Sequence, residues 1–81
     1  MNYTLFRLAP GSYDVLLDGV IVASLVRGHG EGATWVAELL RVDHLPAPFT
    51  AAEHEFESFE AACGWLGDPE VKTKGAAAAP T

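Results

Sequence analysis

The sequence contains only one cysteine, Cys63, among its 81 residues. A single thiol cannot form an internal disulfide, and it cannot supply the several thiolates of a structural zinc site. Cys63 falls on the apolar stripe of a segment with helical period, residues 59–66. We therefore interpret Cys63 as a small core residue and not as a nucleophile or a redox group.

Long hydrophobic runs are also absent. The longest apolar stretch, Val20–Val26, is interrupted by Ser24 and is far shorter than the roughly 20 apolar residues of a membrane helix. The first ten residues, MNYTLFRLAP, lack the charged start, the long apolar stretch and the cleavage site of a signal peptide. The sequence therefore predicts a cytoplasmic protein that does not span a membrane.

Basic residues are scarce, with five against eleven acidic residues, for a formal net charge of −6. Lys72 and Lys74 lie in a C-terminal segment that we expect to be flexible, so residues 1–70 carry three arginines and all eleven acids, a net charge of −8. Nucleic-acid binding depends on Lys and Arg neutralising phosphates, so direct binding of DNA or RNA is not expected. The charge favours a basic protein partner, although an acidic surface also serves solubility.

The strongest local pattern in the chain is a hairpin pattern. Asp18-Gly19 separates the apolar runs Tyr13–Leu17 and Val20–Arg27, which is typical of two strands joined by a two-residue turn. A regular ladder from this turn pairs Leu17 with Val20, Val15 with Val22 and Tyr13 with Ser24. Leu25 is then expected on the opposite face of the hairpin, beside Leu16, Ile21 and Ala23.

Further strands and one helix are predicted around this hairpin. Ser58 is a suitable N-cap, and Gly67 with Pro69 ends the helix. The remaining strands are placed at Thr4–Leu8, Ala33–Val42 and Glu53–Glu57. The sequence thus predicts one α+β domain, residues 1–70, in which a four- to five-stranded antiparallel sheet packs against one C-terminal helix, and a flexible tail, residues 71–81.

Two apolar stripes match in period and position, and we expect them to pack together. They are the helix stripe Phe59, Ala62, Cys63 and Leu66 and the strand stripe Trp35, Ala37 and Leu39. One short helix covers only one face of a sheet, which leaves the apolar residues Leu16, Ile21, Leu25, Val36 and Leu40 on the other. Either another protein chain covers this second face, or the first strand and the proline-containing loop 43–50 fold over it.

No set of residues in the sequence forms a recognisable catalytic or cofactor site. Of His29, His44 and His54, the last is flanked by Glu53 and Glu55, but adjacent strand residues point to opposite faces and cannot chelate one ion together. The glycine-rich segment 28–32 lacks the Lys and the helix start of a phosphate-binding loop. We therefore predict a protein without catalytic activity, cofactor or metal.

Acidic residues recur at every second position of the last predicted strand. On an extended strand Glu53, Glu55 and Glu57 share one face at intervals of about 6.7 Å. Such a row resembles the periodic charges of a nucleic-acid backbone, and an ordinary hydrated strand face is the alternative interpretation. Glu38, Asp43 and Glu60 are expected to extend this row, so the candidate partner-binding residues are Glu38, Asp43, Glu53, Glu55, Glu57 and Glu60.

The segments WVAEL, residues 35–39, and EFESFEAA, residues 55–62, resemble the three-strand-plus-helix modules of plant AP2 domains and of phage-integrase arm-binding domains. The resemblance covers about 30 residues and implies a similar packing of strands and helix. Those modules bind DNA through arginines on their sheets, whereas this chain has acids there. The resemblance therefore implies a fold and not DNA binding.

The whole chain, which is short, acidic and rich in alanine, is similar in size and character to anti-CRISPR proteins of alphaproteobacteria that act on type I systems, particularly type I-C. This resemblance implies binding to a subunit of the type I surveillance complex, whose basic DNA-binding surface an acidic protein could occupy. It implies a monomer or weak dimer that acts in the host bacterial cell.

The leading prediction is a non-enzymatic inhibitor that blocks target DNA binding as an acidic nucleic-acid mimic. The alternatives are a small nucleic-acid-binding module and an accessory or antitoxin-like protein with a different partner. The charge argues against the first alternative, because a domain at −8 repels a polyanion.

Overall fold

A computed structural model describes residues 2–28, 33–41 and 43–73 of the chain. These residues form, in chain order, β1 (Tyr3–Ala9), β2 (Ser12–Leu17), β3 (Val20–Arg27), β4 (Trp35–Leu39), β5 (Glu53–Phe56), α1 (Phe59–Trp65) and β6 (Glu70–Thr73). The strands form one sheet in the order β5-β4-β3-β2-β1-β6. Neighbouring strands are antiparallel except β1 and β6, which are parallel. The fold is therefore α+β, with a mixed six-stranded sheet and one short helix.

The turn between β2 and β3 confirms the predicted hairpin. Asp18 and Gly19 have φ angles of 51° and 87°, and a type I′ turn requires positive φ at both central residues. This turn twists in the same sense as the strands it joins, so Leu17 pairs directly with Val20 as predicted. The Asp18 backbone N–H also donates a 3.0 Å hydrogen bond to the Asn2 carbonyl, which joins the turn to the start of β1.

The register beyond this turn differs from the predicted one. The ladder shifts after Leu16, so that Val15 pairs with Ala23 instead of Val22. A β-bulge of this kind places one extra residue in β3 and reverses the face of every residue that follows it. Leu25 consequently lies fully buried in the core, and its predicted place on the second face is wrong.

β4 and β5 are shorter than predicted, but the predicted faces of their side chains are confirmed. β4 covers only residues 35–39 of the predicted strand 33–42, and Val42 itself lies outside the described residues. Its backbone pairing extends one residue further, since the Leu40 N–H donates to the Val22 carbonyl. Trp35, Ala37 and Leu39 point toward α1, as expected from the alternation.

The sequence signals at both ends of α1 are confirmed. The Ser58 side chain accepts a 3.0 Å hydrogen bond from the Ala61 backbone N–H, as an N-cap does. At the other end Gly67, with φ of 86°, and Asp68 donate to the carbonyls of Gly64 and Cys63 in a Schellman arrangement. No helix within residues 2–28, 33–41 and 43–73 has the length and apolarity needed to cross a membrane.

β6 was not predicted from the sequence. Residues 71–73, which we expected to start a flexible tail, pair with β1, and the register runs from Thr4–Glu70 to Arg7–Thr73. The helix is therefore not the last element, and the sheet is neither five-stranded nor wholly antiparallel. The free backbone edge of β1 explains the difference, because it offers hydrogen bonds to any extended segment that reaches it. Residues 74–81 of the predicted tail lie outside the described residues.

The core lies between α1 and one side of the sheet, which we call the helix face. The fully buried residues there are Leu5, Val15, Ala23, Leu25, Ala37 and Ala62. The proline-containing loop packs on this same side, where Phe49 contacts the rings of Tyr3 and Trp65. The opposite side, which we call the open face, is covered neither by α1 nor by Phe49. The loop is therefore not the cover that one interpretation of the sequence gave to the second face.

Candidate functional site

The open face carries four carboxylates, three of them at the β4–β5 edge of the sheet and the fourth on β2. The cross-strand pairs Asp14–Ser24, Ser24–Glu38 and Glu38–Glu53 form one continuous row over four strands. Glu55 lies two residues along β5 and therefore on the same face as Glu53. We call Asp14, Glu38, Glu53 and Glu55 the acidic patch.

The two central carboxylates of the acidic patch oppose each other, and neither forms an ion pair with the residues that the structure describes. Glu38 and Glu53 are direct cross-strand partners, and both are exposed. The ion pairs within the described residues are Arg41–Asp43 and Lys72–Glu70, and neither includes a member of the patch. Like charges directly opposite on a sheet are destabilising by roughly 0.2 to 1 kcal/mol. The fold thus holds two negative charges together at a small cost in stability.

Glu55 differs from its neighbours because its carboxylate is held by a hydrogen bond. The Thr34 hydroxyl, just before β4, donates a 2.8 Å hydrogen bond to Glu55 Oε2. This contact fixes the orientation of one acid at the end of the patch. The sequence analysis missed both Thr34 and Asp14, since neither belongs to the alternating row from which the site was predicted.

The structure divides the six predicted partner-binding residues into separate locations. Glu38, Glu53 and Glu55 are brought together on the open face. Glu57 follows the end of β5, and Glu60 lies in the first turn of α1, on the other side of the sheet. Asp43 lies in the loop after β4, where its carboxylate is 2.9 Å from the Arg41 guanidinium. The prediction that Glu60 and Asp43 extend the row is therefore wrong.

The apolar residues predicted for the second face are also only partly together. Leu16, Ile21, Val36 and Leu40 lie on the open face or at its end, whereas Leu25 is in the core. Ile21 and Leu40 are 47% and 60% exposed. An apolar groove of about 540 Å³ lies at the end of the sheet, between the β2–β3 turn and the loop after β4. The open face therefore has an acidic edge, and the groove lies at the end of the sheet, where Leu39 of the helix face and Leu40 of the open face both line it.

The structure describes two of the three histidines, His44 and His54. The Thr50 backbone N–H donates a 3.1 Å hydrogen bond to His54 Nε2, and the imidazole ring lies 4.6 Å from the Trp65 ring. His54 thus packs in the aromatic cluster beside α1, while His44 is exposed in the loop after β4. His29 lies outside the described residues. Among residues 2–28, 33–41 and 43–73 no three His, Cys, Asp or Glu side chains are grouped to hold a metal ion.

Cys63 is half-buried on α1 and contributes to the core. Burial raises the pKa of its thiol, and the nearby carboxylates of Asp68 and Glu60 raise the pKa further. A raised pKa lowers the fraction of thiolate, which is the reactive form. This environment is the reverse of the electropositive setting of a nucleophilic cysteine.

We expect Cys63 to react more slowly with iodoacetamide in the folded protein than in the urea-unfolded chain at the same mildly alkaline pH. The folded thiol has a higher pKa and less access to solvent, and unfolding removes both effects. Mass spectrometry of the alkylated protein over time gives the two rates. Faster alkylation of the folded protein would mean that Cys63 is an activated thiol.

No protein-family profile, no curated protein and no solved structure matches this chain.

Proposed function

We propose that this protein is a non-enzymatic protein-binding inhibitor whose acidic patch occupies a basic surface on its partner. One observation carries the proposal: Glu38 and Glu53 are direct cross-strand partners, and neither takes part in the ion pairs found among the described residues. A basic partner would remove the repulsion between these carboxylates on binding. An acidic surface that serves solubility alone has no need of two carboxylates in direct opposition.

The net charge of the chain favours the same kind of partner. A formal charge of −6 on a small domain attracts a basic protein from a distance and raises the rate of encounter. The acidic patch then gives this attraction a preferred orientation, because Asp14, Glu38 and Glu53 lie in one row across the sheet. Binding of this kind weakens with added salt.

The target that we propose is a subunit of a type I CRISPR effector complex, particularly of type I-C, in the cytoplasm of the host bacterium. The resemblance in size and character to anti-CRISPR proteins supports this choice. Such a complex has a basic surface for target DNA, and a row of carboxylates can stand in for phosphates there. An inhibitor of this kind acts by occupancy and needs no catalytic residues.

The proposal predicts that the double variant Glu38→Lys/Glu53→Lys binds a purified type I-C complex at least tenfold more weakly than the wild type. The variant reverses the two opposed charges and so presents cations to a basic surface. Surface plasmon resonance at several salt concentrations measures the change. The wild-type affinity should fall steeply with salt, and that of the variant should fall less steeply.

The matched control is Glu60→Lys/Glu70→Lys, which changes the net charge by the same amount in the first turn of α1 and on β6, at the sheet edge opposite β5. This control should retain most of the wild-type affinity and should still compete with target DNA. Equal weakening by both double variants would show that net charge acts without a defined site. Undiminished binding by Glu38→Lys/Glu53→Lys would reject the acidic patch as the docking surface.

A further inference from the structure

β5 forms one edge of the sheet, and its pairing with β4 leaves the outer side of the strand open. The Leu39 backbone N–H donates to the Ala52 carbonyl, and hydrogen-bonded pairs alternate along an antiparallel ladder. His54 therefore directs its backbone N–H and C=O at β4, whereas the backbone groups of Glu53 and Glu55 point away from the sheet. Among the described residues no strand pairs with these outward groups. They are available to an added strand.

The residues whose backbone points outward also carry the negative charge of this edge. The side chains of Glu53 and Glu55 are exposed on the open face. Glu55 accepts the Thr34 hydroxyl through Oε2, and a carboxylate can accept several hydrogen bonds, so it retains capacity for a second donor. A strand added to β5 would place its own side chains on this face, with Cβ atoms about 5 Å from those of the two glutamates. The edge thus offers backbone hydrogen bonds and negative charge at the same two positions.

This charge disfavours a second copy of the chain as the added strand. Two β5 strands joined at their outer edges would bring glutamates opposite each other, because the outward-directed residues of both strands are Glu53 and Glu55. Like charges directly opposite on a sheet are destabilising, whereas opposite charges are attractive there. The edge is therefore complementary to a strand that carries Lys or Arg.

We propose that the outer edge of β5 binds an extended segment of a basic protein by strand addition, with Lys or Arg at the two alternate positions that face Glu53 and Glu55. The residue between these two points to the helix face, opposite His54, whose ring packs on Trp65, and we expect it to be apolar. In this mode main-chain hydrogen bonds supply affinity and alternate side chains supply specificity. The inference rests on the proposed function, since it names the kind of segment that the acidic patch receives.

Amide hydrogen exchange of the full chain, followed by NMR, tests the strand addition. The probe is a synthetic peptide of alternating sequence, Lys-Val-Lys-Val-Lys-Val-Lys. At about ten times its Kd it should slow the exchange of the Glu53 and Glu55 amides by about tenfold, because few molecules then keep a free edge. The His54 amide, which is directed at β4, is the internal reference and should not change.

The matched control peptide is Lys-Lys-Val-Val-Lys-Lys-Val, which has the same composition and charge but no two lysines at alternate positions. It should protect the Glu53 and Glu55 amides much less at equal concentration. Absence of slowing at millimolar concentrations of the alternating peptide overturns the proposal. Equal slowing by both peptides also overturns it, because the alternating positions would then have no role.

A pair of variants at one position separates the backbone contact from the charge. Glu55→Ala and Glu55→Pro both lack the carboxylate, but only proline lacks the N–H. That N–H is directed away from β4, so both variants should keep the wild-type circular dichroism spectrum. Calorimetric titration with the alternating peptide should give about threefold weaker binding for Glu55→Ala and about a further tenfold loss for Glu55→Pro. Failure of Glu55→Pro to fold would contradict the outward direction of this N–H and reject the edge.

The edge and the proposed function fail in different ways. Equal peptide binding by Glu55→Ala and Glu55→Pro rejects strand addition, while weaker binding of the type I-C complex by Glu38→Lys/Glu53→Lys still supports the acidic patch. Protection of the two edge amides by the alternating peptide, together with undiminished binding of the complex by that double variant, supports the edge and rejects the proposed docking surface on the complex.

Discussion

Leu66→Ala is expected to lower the free energy of unfolding by about 2 to 5 kcal/mol. Leu66 is almost fully buried in the cluster that joins α1 to the helix face, so its truncation removes apolar contacts and leaves a cavity. A domain of this length is stable by only about 4 to 12 kcal/mol, so the loss is a large part of the total. Urea denaturation followed by tryptophan fluorescence measures it.

Leu8→Ala provides the control for this experiment. Leu8 is the same residue type in an exposed position on β1, and its truncation should change the free energy of unfolding by less than about 0.5 kcal/mol. If Leu66→Ala has as small an effect as Leu8→Ala, then α1 does not pack through the predicted stripe.

Leu25→Lys is expected to prevent folding at ordinary temperature. Leu25 is fully buried in β3, and a lysine there would place an unpaired charge in the core. Substitutions of this kind cost about 4 kcal/mol or more, which approaches the whole stability of a small domain. Near-ultraviolet circular dichroism and the urea transition should both show the loss of the packed state.

Ile21→Lys is the matched substitution on the other side of the bulge. Ile21 is half-exposed, so a lysine can extend its charged end into water while its methylene groups remain on the surface. This variant should fold with nearly wild-type stability. The regular register expected from the sequence places both residues on the same face, so similar tolerance of the two lysines would mean that the bulge is wrong.

Local signals in the sequence predicted the local features of the fold. The Asp18-Gly19 turn, the Ser58 cap and the end of α1 at Gly67 each depend on a few neighbouring residues and their own backbone preferences. The packing of Phe59 and Ala62 on the strand stripe also follows from periodicity, because each element has one continuous apolar side.

The bulge in β3 has no comparable signal. Residues 20–23 read Val-Ile-Val-Ala, so alternation between apolar and polar residues does not distinguish the two registers. The choice depends on burial, since the shifted register brings Ala23 and Leu25 together with Val15 under α1. That arrangement depends on contacts between several strands, so the sequence of β3 alone does not indicate it.

β6 was missed for a different reason. Its four residues, EVKT, are short and half charged, and they become a strand through pairing with β1 at the other end of the chain. Prediction of the candidate site was limited in the same way, because part of it depends on how distant elements pack. The alternation on β5 correctly put Glu53 and Glu55 on one face, but the spacing of Glu60 along the chain carried no information on which side of the sheet α1 packs.

The parallel pairing of β1 with β6 determines how the folded domain responds to mechanical tension. A force that pulls Tyr3 and Thr73 apart draws the two strands past each other along their length, because they run in the same direction. The hydrogen bonds between the two strands then resist the force together. In a hairpin pulled open from its free end, by contrast, the hydrogen bonds would break one after another. β6 therefore acts as a clamp against extension, which the sheet would lack without the strand that follows α1.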